Sequence, residues 1–501
     1  MNSYKYIVCA FSFVLMIFSS CKKDYLDTVP SNATSIEEQL STIKGINTAL
    51  NGIYRGMYMQ YSDQEQDGHP AVMINMDFMG DDAVHSAIGT TYFRGAYRWI
   101  DHRSEATDLT YFVWRFYYRL IANANMILAA VDKVDATEGQ KKMVVGECLA
   151  IRAFSHFMLV QLYAARYYPG LNPQWGVPIQ TEFTLTPQPR ATVDQVYAQV
   201  NKDLDDAIES LTDAPAPINK THININVAKG IKARVALTMW NWTDAAKYAR
   251  EAREGLSLMS NADYLKGFND IDNVEWMWGA NQLADQLPTY GSFYAYMSAN
   301  YNSVHTRSNP KFINYALFDG ISQSDIRRRL WWDGEEATAK DFPGVINVAT
   351  GLPDDSQLRV PKMHRKFLVK DPAVSVGDIP YMRVAEMYLI EAEAKARGGS
   401  LRDAYQALLP LAANRDPEYG QSVKSTTLAA IMLQRRIELW GEGFRFLDLK
   451  RTYSDLSRYA ASGAIPDLVN WRGVAAASPM WTWRIPRREI NANPLIIQNT
   501  D

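Results

Sequence analysis

Apolar residues recur at helical spacing along most of the chain, and the breaks between those runs carry capping and turn residues. Ser35-x-x-Glu38 has the form of a capping box and opens a helix running to about Tyr58. Two long periodic stretches follow, Tyr111 to Val134 and Gln140 to Tyr167. Thr192-x-x-Gln195 caps another helix that reaches Leu211, where Pro215 and Pro217 prevent its continuation. Asn226 to Trp240, a tight Asn241-Trp242-Thr243 turn and Asp244 to Gly255 read as two antiparallel helices. Small residues at Ala228, Ala233, Ala236, Ala245, Ala246 and Ala249 permit their close approach. Arg383 to Arg397, the Gly398-Gly399 break and Ser400 to Ala413 repeat that layout. Helix pairs that cannot bury a face alone must stack, so the pattern predicts a mainly α fold, a tetratricopeptide-like right-handed solenoid of about four units built from distant segments. Two stretches break the period. Gln60 to Asp108 is loop-rich, and Met259 to Tyr381 is rich in Gly, Pro, Asn and aromatics, which predicts a loop-rich, mixed insertion with short strands and short helices.

The N-terminus changes the picture most. After Lys5, residues Ile7 to Phe18 form an apolar run too short to span a bilayer, and Phe18-Ser19-Ser20-Cys21 follows. Small residues before a cysteine look like a bacterial lipobox, although Phe18 stands where Leu is usual. The reading is a lipoprotein signal peptide over residues 1–20, with lipid attached at Cys21; several acyl chains hold a protein firmly on a membrane. Cys9 then leaves with the leader and Cys148 alone remains, inside an apolar helix, so it reads as a core residue and no disulfide forms within the chain. A net charge of −3 and the lack of a basic run make nucleic acid an improbable partner.

Catalytic signatures are absent from the sequence: there is no G-x-S-x-G, H-E-x-x-H, Walker A or G-x-G-x-x-G. The seven histidines lack metal-ligand spacing, so each reads as a surface or core residue, and no cofactor or metal is implied. Binding is better supported. Sugars present flat C–H faces ringed by hydroxyls, and receptors meet them with aromatic platforms beside polar side chains. Three stretches have that mix: Asp81-Asp82 to Trp99, Gln286 to Tyr301, and Arg327 to Asp333. The candidate ligand residues they supply are Asp81, Asp82, Trp99, Tyr290, Tyr294, Tyr296, Trp331 and Trp332. Trp276 and Trp278 alternate as in a strand, and Trp114, Trp240 and Trp440 sit in helical periods, so these five are assigned to structure.

The run Ile431 to Arg451, IMLQRRIELWGEGFRFLDLKR, carries the most specific signal. Leu428, Ile431, Met432 and Leu439 form a helical stripe, and Gly441 and Gly443 end it. Arg435/Glu438, Glu442/Arg445, Arg445/Asp448 and Asp448/Arg451 lie three apart, the spacing of neighbouring charges on a helix. Crowded by Trp440, Phe444 and Phe446, they read as a structural knot at a domain centre.

Here the chain resembles the SusD/RagB family of outer-membrane nutrient-binding lipoproteins. Arg435, Glu438, Leu439, Glu442, Gly443, Arg445, Asp448, Leu449 and Arg451 match its C-terminal signature, while Gln434 replaces the usual Glu. Tyr25-Leu26-Asp27, Gly176-Val177-Pro178-Ile179, Arg383 to Ala394 and the ending Ile485-Pro486 to Gln498-Asn499 resemble further family motifs. The resemblance implies an N-terminal SusD-like region over 21–225 that includes loop 60–108, a helical-repeat pair over 226–258, and a C-terminal region over 259–501. The last would contain the insertion 259–381 and helical repeats 382–451. It also implies a non-enzymatic protein on the cell outer membrane, anchored by lipid and facing the exterior. Its partners would be an oligosaccharide or other nutrient and a SusC-like TonB-dependent transporter. Two other readings stay open from the residues alone: a surface-anchored glycoside hydrolase, and a helical-repeat scaffold that binds only proteins.

Overall fold

Side-chain caps set the helix boundaries. In the computed structural model, which describes residues 36–85, 92–286, 290–335, 360–459 and 472–499, eleven helices have eight residues or more. They are α1 (Ile43–Gly56), α2 (Gly68–Phe78), α3 (Asp108–Val131), α4 (Glu138–Tyr163), α5 (Val193–Thr212), α6 (Ile225–Thr238), α7 (Trp242–Ala252), α8 (Val384–Arg397), α9 (Leu401–Arg415), α10 (Leu428–Glu438) and α11 (Arg445–Thr452). The leader, Cys21 and Tyr25-Leu26-Asp27 lie outside the described residues. Thr192 and Gln195 form a reciprocal capping box at the start of α5, and Thr137 and Gln140 form another at α4. The first expected helix is instead two: a short turn Ile36–Gln39, then α1, because Thr42 Oγ1 accepts the Gly45 N–H and restarts the helix there.

The long helices pack on their neighbours in chain order, α3 on α4, α4 on α5, α5 on α6, α6 on α7 and α8 on α9, and α1 lies against α3. This is the helical-repeat scaffold expected from the period. Helix α7 packs directly on α8, so the segment between them is looped out of an otherwise continuous stack. The alanine-lined crossing of α6 and α7 is closed: Ala228, Ala233, Ala245 and Ala249 have no exposed surface. Helix α4 is long and apolar enough to cross a membrane. It is buried over nearly all of its length from Val144, which is the position of a central core helix. Cys148 sits there as a buried free thiol. Trp114 and Trp440 are core residues, but Trp240 is half-buried at a left-handed φ of 60°, its indole N–H donating 2.9 Å to the Arg451 carbonyl.

Strand β1 (Ala83–His85), strand β2 (Trp276–Ala280), strand β3 (Lys311–Ile313) and strand β4 (Ile379–Arg383) make two antiparallel ribbons, β1 with β3 and β2 with β4. Trp276 pairs with Arg383 and Trp278 with Met382, so both tryptophans are structural, as the alternation predicts.

Most of the signature residues are buried, and most of their ionic partners are remote in sequence. Arg383, at the junction of β4 and α8, reaches Glu275 on the chain before β2, Glu438 at the end of α10 (3.0 Å) and Glu442 in the following turn (2.6 Å). Arg415 joins Glu275 at 2.6 Å and Glu438 at 3.2 Å. Arg327 joins Asp325 at 2.6 Å and Glu438 at 3.2 Å, and Lys366 joins Glu442 at 2.6 Å. Four cations thus face four carboxylates in a neutral cluster with almost no solvent exposure. A second group links Arg435 to Asp448 (2.7 Å), and Arg451 to Asp448 (2.8 Å) and Glu393 (2.7 Å). Asp81 pairs with Arg445, and Asp82 with Arg436, each at 2.5 Å.

Of the four local pairs expected from the spacing, Asp448/Arg451 is made as an ion pair. The remaining charges turn toward distant elements because α10 ends at Glu438, and Gly441 and Gly443 (φ 80° and 85°) reverse the chain before Arg445. A Cβ on Gly443 would lie 2.8 Å from the Met73 Cα, so the position demands glycine for space as well as for φ.

Replacing Glu438 by Leu removes the carboxylate shared by three buried guanidiniums and is expected to cost about 3–5 kcal/mol in chemical denaturation. Burial raises the Asp448 carboxyl, yet the guanidiniums of Arg435 and Arg451 prevail and hold it at about 2; Glu393, Glu438 and Glu442 are likewise held below the usual range by their cations. Each contributes stability that is complete above the unfolded value and is lost as pH falls through the folded one. Stability should therefore fall progressively from about pH 4.5 toward pH 2, and Asp448→Asn should flatten the lower part of that decline.

Candidate ligand-binding site

The loop between α1 and α2 closes on itself, the Tyr61 N–H donating to the Gln66 carbonyl (3.0 Å) and the Gln66 N–H to the Asp63 carbonyl (3.1 Å). Its exit is fixed by Gly68, whose φ of 58° brings the chain so near the Met57 carbonyl that a Cβ would overlap it. The tip that this geometry presents, Asp63-Gln64-Glu65, is held by aromatic residues from two other segments. Gln64 accepts the Tyr92 hydroxyl at its side chain and the Tyr296 hydroxyl (3.1 Å) at its carbonyl. Glu65 Oε1 accepts the Phe93 N–H at 2.7 Å. Phe93 adopts a left-handed φ of 57°, a strained conformation for a bulky residue that turns the chain between Tyr92 and the core.

The rings so placed form one cluster. The Tyr92 centroid lies 4.4 Å from that of His305 in an edge contact and 5.2 Å from Tyr296; Phe93 meets Tyr296 at 5.1 Å, and Tyr290 meets His305 at 6.4 Å. Tyr296 and Phe93 are buried and make the floor. Tyr92 and His305 are half-buried and Tyr290 is 45% exposed, so these three make the layer that faces water. Tyr296 comes from the short helix Phe293–Met297, capped by Ser292, and His305 from Val304–Ser308, capped by Ser303. Beneath them the β1–β3 ribbon sets Lys311 opposite His85, and His85 Nε2 lies 3.1 Å from the Tyr92 carbonyl. Loop 60–108 and the insertion therefore meet at one place, with rings above and amide and carboxyl groups beside them.

Of the residues singled out from the sequence, Tyr290 stands in the exposed layer and Tyr296 beneath it. Trp332 is half-buried elsewhere in the insertion, its indole N–H donating to the Glu335 carbonyl at 3.0 Å. Trp99, Tyr294 and Trp331 are inside the core, each at most 1% exposed. The Trp99 indole donates to the Met79 carbonyl (2.8 Å), the Tyr294 hydroxyl to the Asp378 carbonyl (2.9 Å), and Trp331 packs edge-on against Trp440. These rings offer no face to solvent in this conformation. Asp81 and Asp82 are spent on Arg445 and Arg436. Gln64, Glu65, Tyr92 and His305 are what the sequence reading left out. Tyr92 lay within a flagged stretch, whereas no local signal pairs His305 with it. Among the described residues no group of three or more His, Cys, Asp or Glu side chains is placed to hold a metal ion.

Burial pushes the Glu65 carboxyl up to about 7 and the Lys311 ammonium down to about 7. For Glu65 the folded state binds the proton more tightly, so its contribution is complete below about pH 4.5 and is lost as pH rises through 7. For Lys311 the unfolded state holds the proton longer, so stability rises between about pH 7 and 10.5. The windows do not overlap. Burial also raises the Asp67, Asp77, Asp101 and Asp378 carboxyls, so Glu65→Gln should reduce, without abolishing, the loss of stability as pH rises toward 7 in denaturant titration, and should leave the alkaline limb intact.

Comparison with known proteins fits this architecture. A family model described as starch-binding and associating with the outer membrane matches residues 24–237, and one described as the SusD family matches residues 359–501. The chain is similar to the SusD-like protein P38 of Formosa agariphila, 22% identical over 439 residues, which span 78% of this chain and 79% of that one. In structure it is similar to a SusD-like carbohydrate-binding protein from Bacteroides vulgatus, with a TM-score of 0.77 at 25% identity over 91% of this chain and 97% of that one. It is also similar to surface glycan-binding protein A from Bacteroides thetaiotaomicron, with a TM-score of 0.70 at 19% identity over 92% of this chain and the whole of that one. With both family models matched and the helical scaffold shared over nine-tenths of its length, the chain belongs to the SusD family.

Proposed function

We propose that this protein captures an oligosaccharide at the cell surface and hands it to a TonB-dependent outer-membrane transporter. The observation that carries the reading is the ring cluster. Tyr92, Tyr290 and His305 expose aromatic faces and edges at the junction of loop 60–108 with the insertion, and their orientation is fixed from below by Gln64, Glu65 and Tyr296. A pyranose stacks its C–H face on such rings while its hydroxyls exchange hydrogen bonds with neighbouring amide, carboxyl and imidazole groups. A platform held in place before the ligand arrives avoids ordering costs on binding. The carbohydrate-binding protein from Bacteroides vulgatus supports the same ligand class.

Delivery requires tethering beside the transporter. Lipid on Cys21 would supply the tether, and the solenoid face would dock the SusC-like barrel. The cycle is binding and handover, with no bond made or broken in the ligand. The description of the matched N-terminal family model supports the outer membrane as the site of action.

Calorimetry of the purified protein against a panel of oligosaccharides tests the reading. Tyr92→Ala and Tyr290→Ala are each expected to weaken the best ligand roughly 5- to 15-fold, about 1–1.5 kcal/mol, without lowering thermal stability to match. Unchanged affinity in both variants would remove the platform from the binding event.

A further inference from the structure

A second cleft, sharing no residue with the ring cluster, opens where the C-terminal end of α4 meets α11 and the chain's C-terminal segment. It encloses ≈ 730 Å³. Its walls carry the cations Arg166 and Arg190 together with Lys450, whose ammonium is pushed down to about 7 by burial, and no aspartate or glutamate among the described residues that line it. Two of the cations are buried and are met by neutral carbonyls alone. Lys450 Nζ donates to the Gln161 and Ala164 carbonyls at 2.6 and 2.8 Å. Arg190 donates to the carbonyls of Gly176 (2.7 Å), Ile497 (2.9 Å), Trp175 (3.0 Å) and Tyr163 (3.3 Å). The dipole at the end of α4 offsets only about half a charge of this excess. Asp455 and Asp194, which accept the Ala476 and Asn172 N–H groups at 2.7 Å each, keep their negative charge beside the cleft and offset a further part of it.

The third cation is held differently. The Arg166 guanidinium carbon lies 3.7 Å from the Tyr168 ring centroid and 4.0 Å from that of Tyr453, so the group is sandwiched between two rings. Its Nη1 and Nη2 are shielded from solvent and have no hydrogen-bond partner of acceptable geometry. On this half-buried side chain the two donors lack a partner, and an oxyanion arriving at the fork would supply one. The shielding rings are surface groups, 49% and 44% exposed, and surface side chains change rotamer within nanoseconds. Trp175, 50% exposed, adds a ring on the same wall.

We infer that this cleft is a second binding site, specific for an acidic sugar: the carboxylate or sulfate takes the Arg166 fork as Tyr168 or Tyr453 swings aside, and the sugar ring packs on Trp175. The guanidiniums of Arg166 and Arg190, with no carboxylate on the described cleft wall, disfavour cationic ligands and favour anions over neutral sugars of the same size. The site goes beyond the neutral-sugar platform described above and stands or falls separately from it.

Calorimetry on the full chain in detergent, with trigalacturonate, neocarrabiose 4-sulfate and neutral maltotriose as probes, tests it. At least one acidic probe should bind tenfold or more tightly than maltotriose, with affinity falling between 50 and 200 mM salt as the screening length shortens. Arg166→Gln and Trp175→Ala should each weaken that binding at least fivefold with unchanged melting temperature, whereas Tyr92→Ala and Tyr290→Ala should leave it alone. Binding of trigalacturonate only would define a uronate site, and binding of the sulfated probe only a sulfate site. The inference is overturned if neither acidic probe binds, if maltotriose binds as tightly as they do, if the two cleft variants bind as wild type does, or if acidic binding vanishes in the ring-cluster variants.

Discussion

Three distant elements converge on the Glu438 carboxylate, more than on any other among the described residues. It receives Arg327 from the insertion, Arg383 from the junction of β4 and α8, and Arg415 from the end of α9. Glu275, Glu442 and Asp325, with Lys366 as the fourth cation, complete the charge balance. Removing ions from water is expensive, and only near-complete mutual satisfaction makes such a cluster tolerable. That condition is what gives it structural authority: a shift of any one element leaves a buried charge without its counterion. The helices could pack by apolar burial alone in several registers, whereas the eight-charge cluster is satisfied in one.

The consequence for function is positional. The insertion is looped out between two helices that touch each other, α7 and α8, so it has no place in the repeat and must be anchored by other means. Glu275 and Arg327 tie it to the cluster, the β2–β4 ribbon ties it to the start of α8, and the Tyr294 hydroxyl ties it to the Asp378 carbonyl. On the other side, Asp81 and Asp82 tie loop 60–108 to Arg445 and Arg436 of the run Ile431 to Arg451. Both segments that supply the exposed rings are thus fixed to the run Ile431 to Arg451, the insertion through Glu438 and loop 60–108 through Arg436 and Arg445. Interactions far from the ligand decide where Tyr92, Tyr290 and His305 stand.

The helical scaffold was legible because its signals are local: capping at Thr192 and Ser400, the left-handed glycines 441 and 443, and the alanines between α6 and α7 are each read within a few residues. The charge knot was legible as to place and burial but not as to pairing. Spacing suggests neighbours on one helix, whereas the helix ends at Glu438 and the partners of Arg445 lie about 360 residues away. The candidate ligand site was read least well. Trp99 and Trp331 have the composition of sugar platforms, yet each sits in the core, and Trp240, assigned to the core by helical period, is half-exposed at a strained turn. Whether a ring packs inward or outward in a loop depends on contacts made across the fold, such as the hold of Gln64 on Tyr92, and no period in the sequence records them.

The central claim is that a rigid charged core presents one aromatic layer, at the meeting of two loop segments, as the place where sugar is caught. A crystal structure of the protein with its best-bound neutral oligosaccharide tests this most directly. The account predicts a pyranose ring packed against Tyr92 or Tyr290 within van der Waals distance, with the Gln64 and Glu65 contacts retained and the ion cluster around Glu438 unmoved. A sugar seated elsewhere, with those rings untouched, would contradict it.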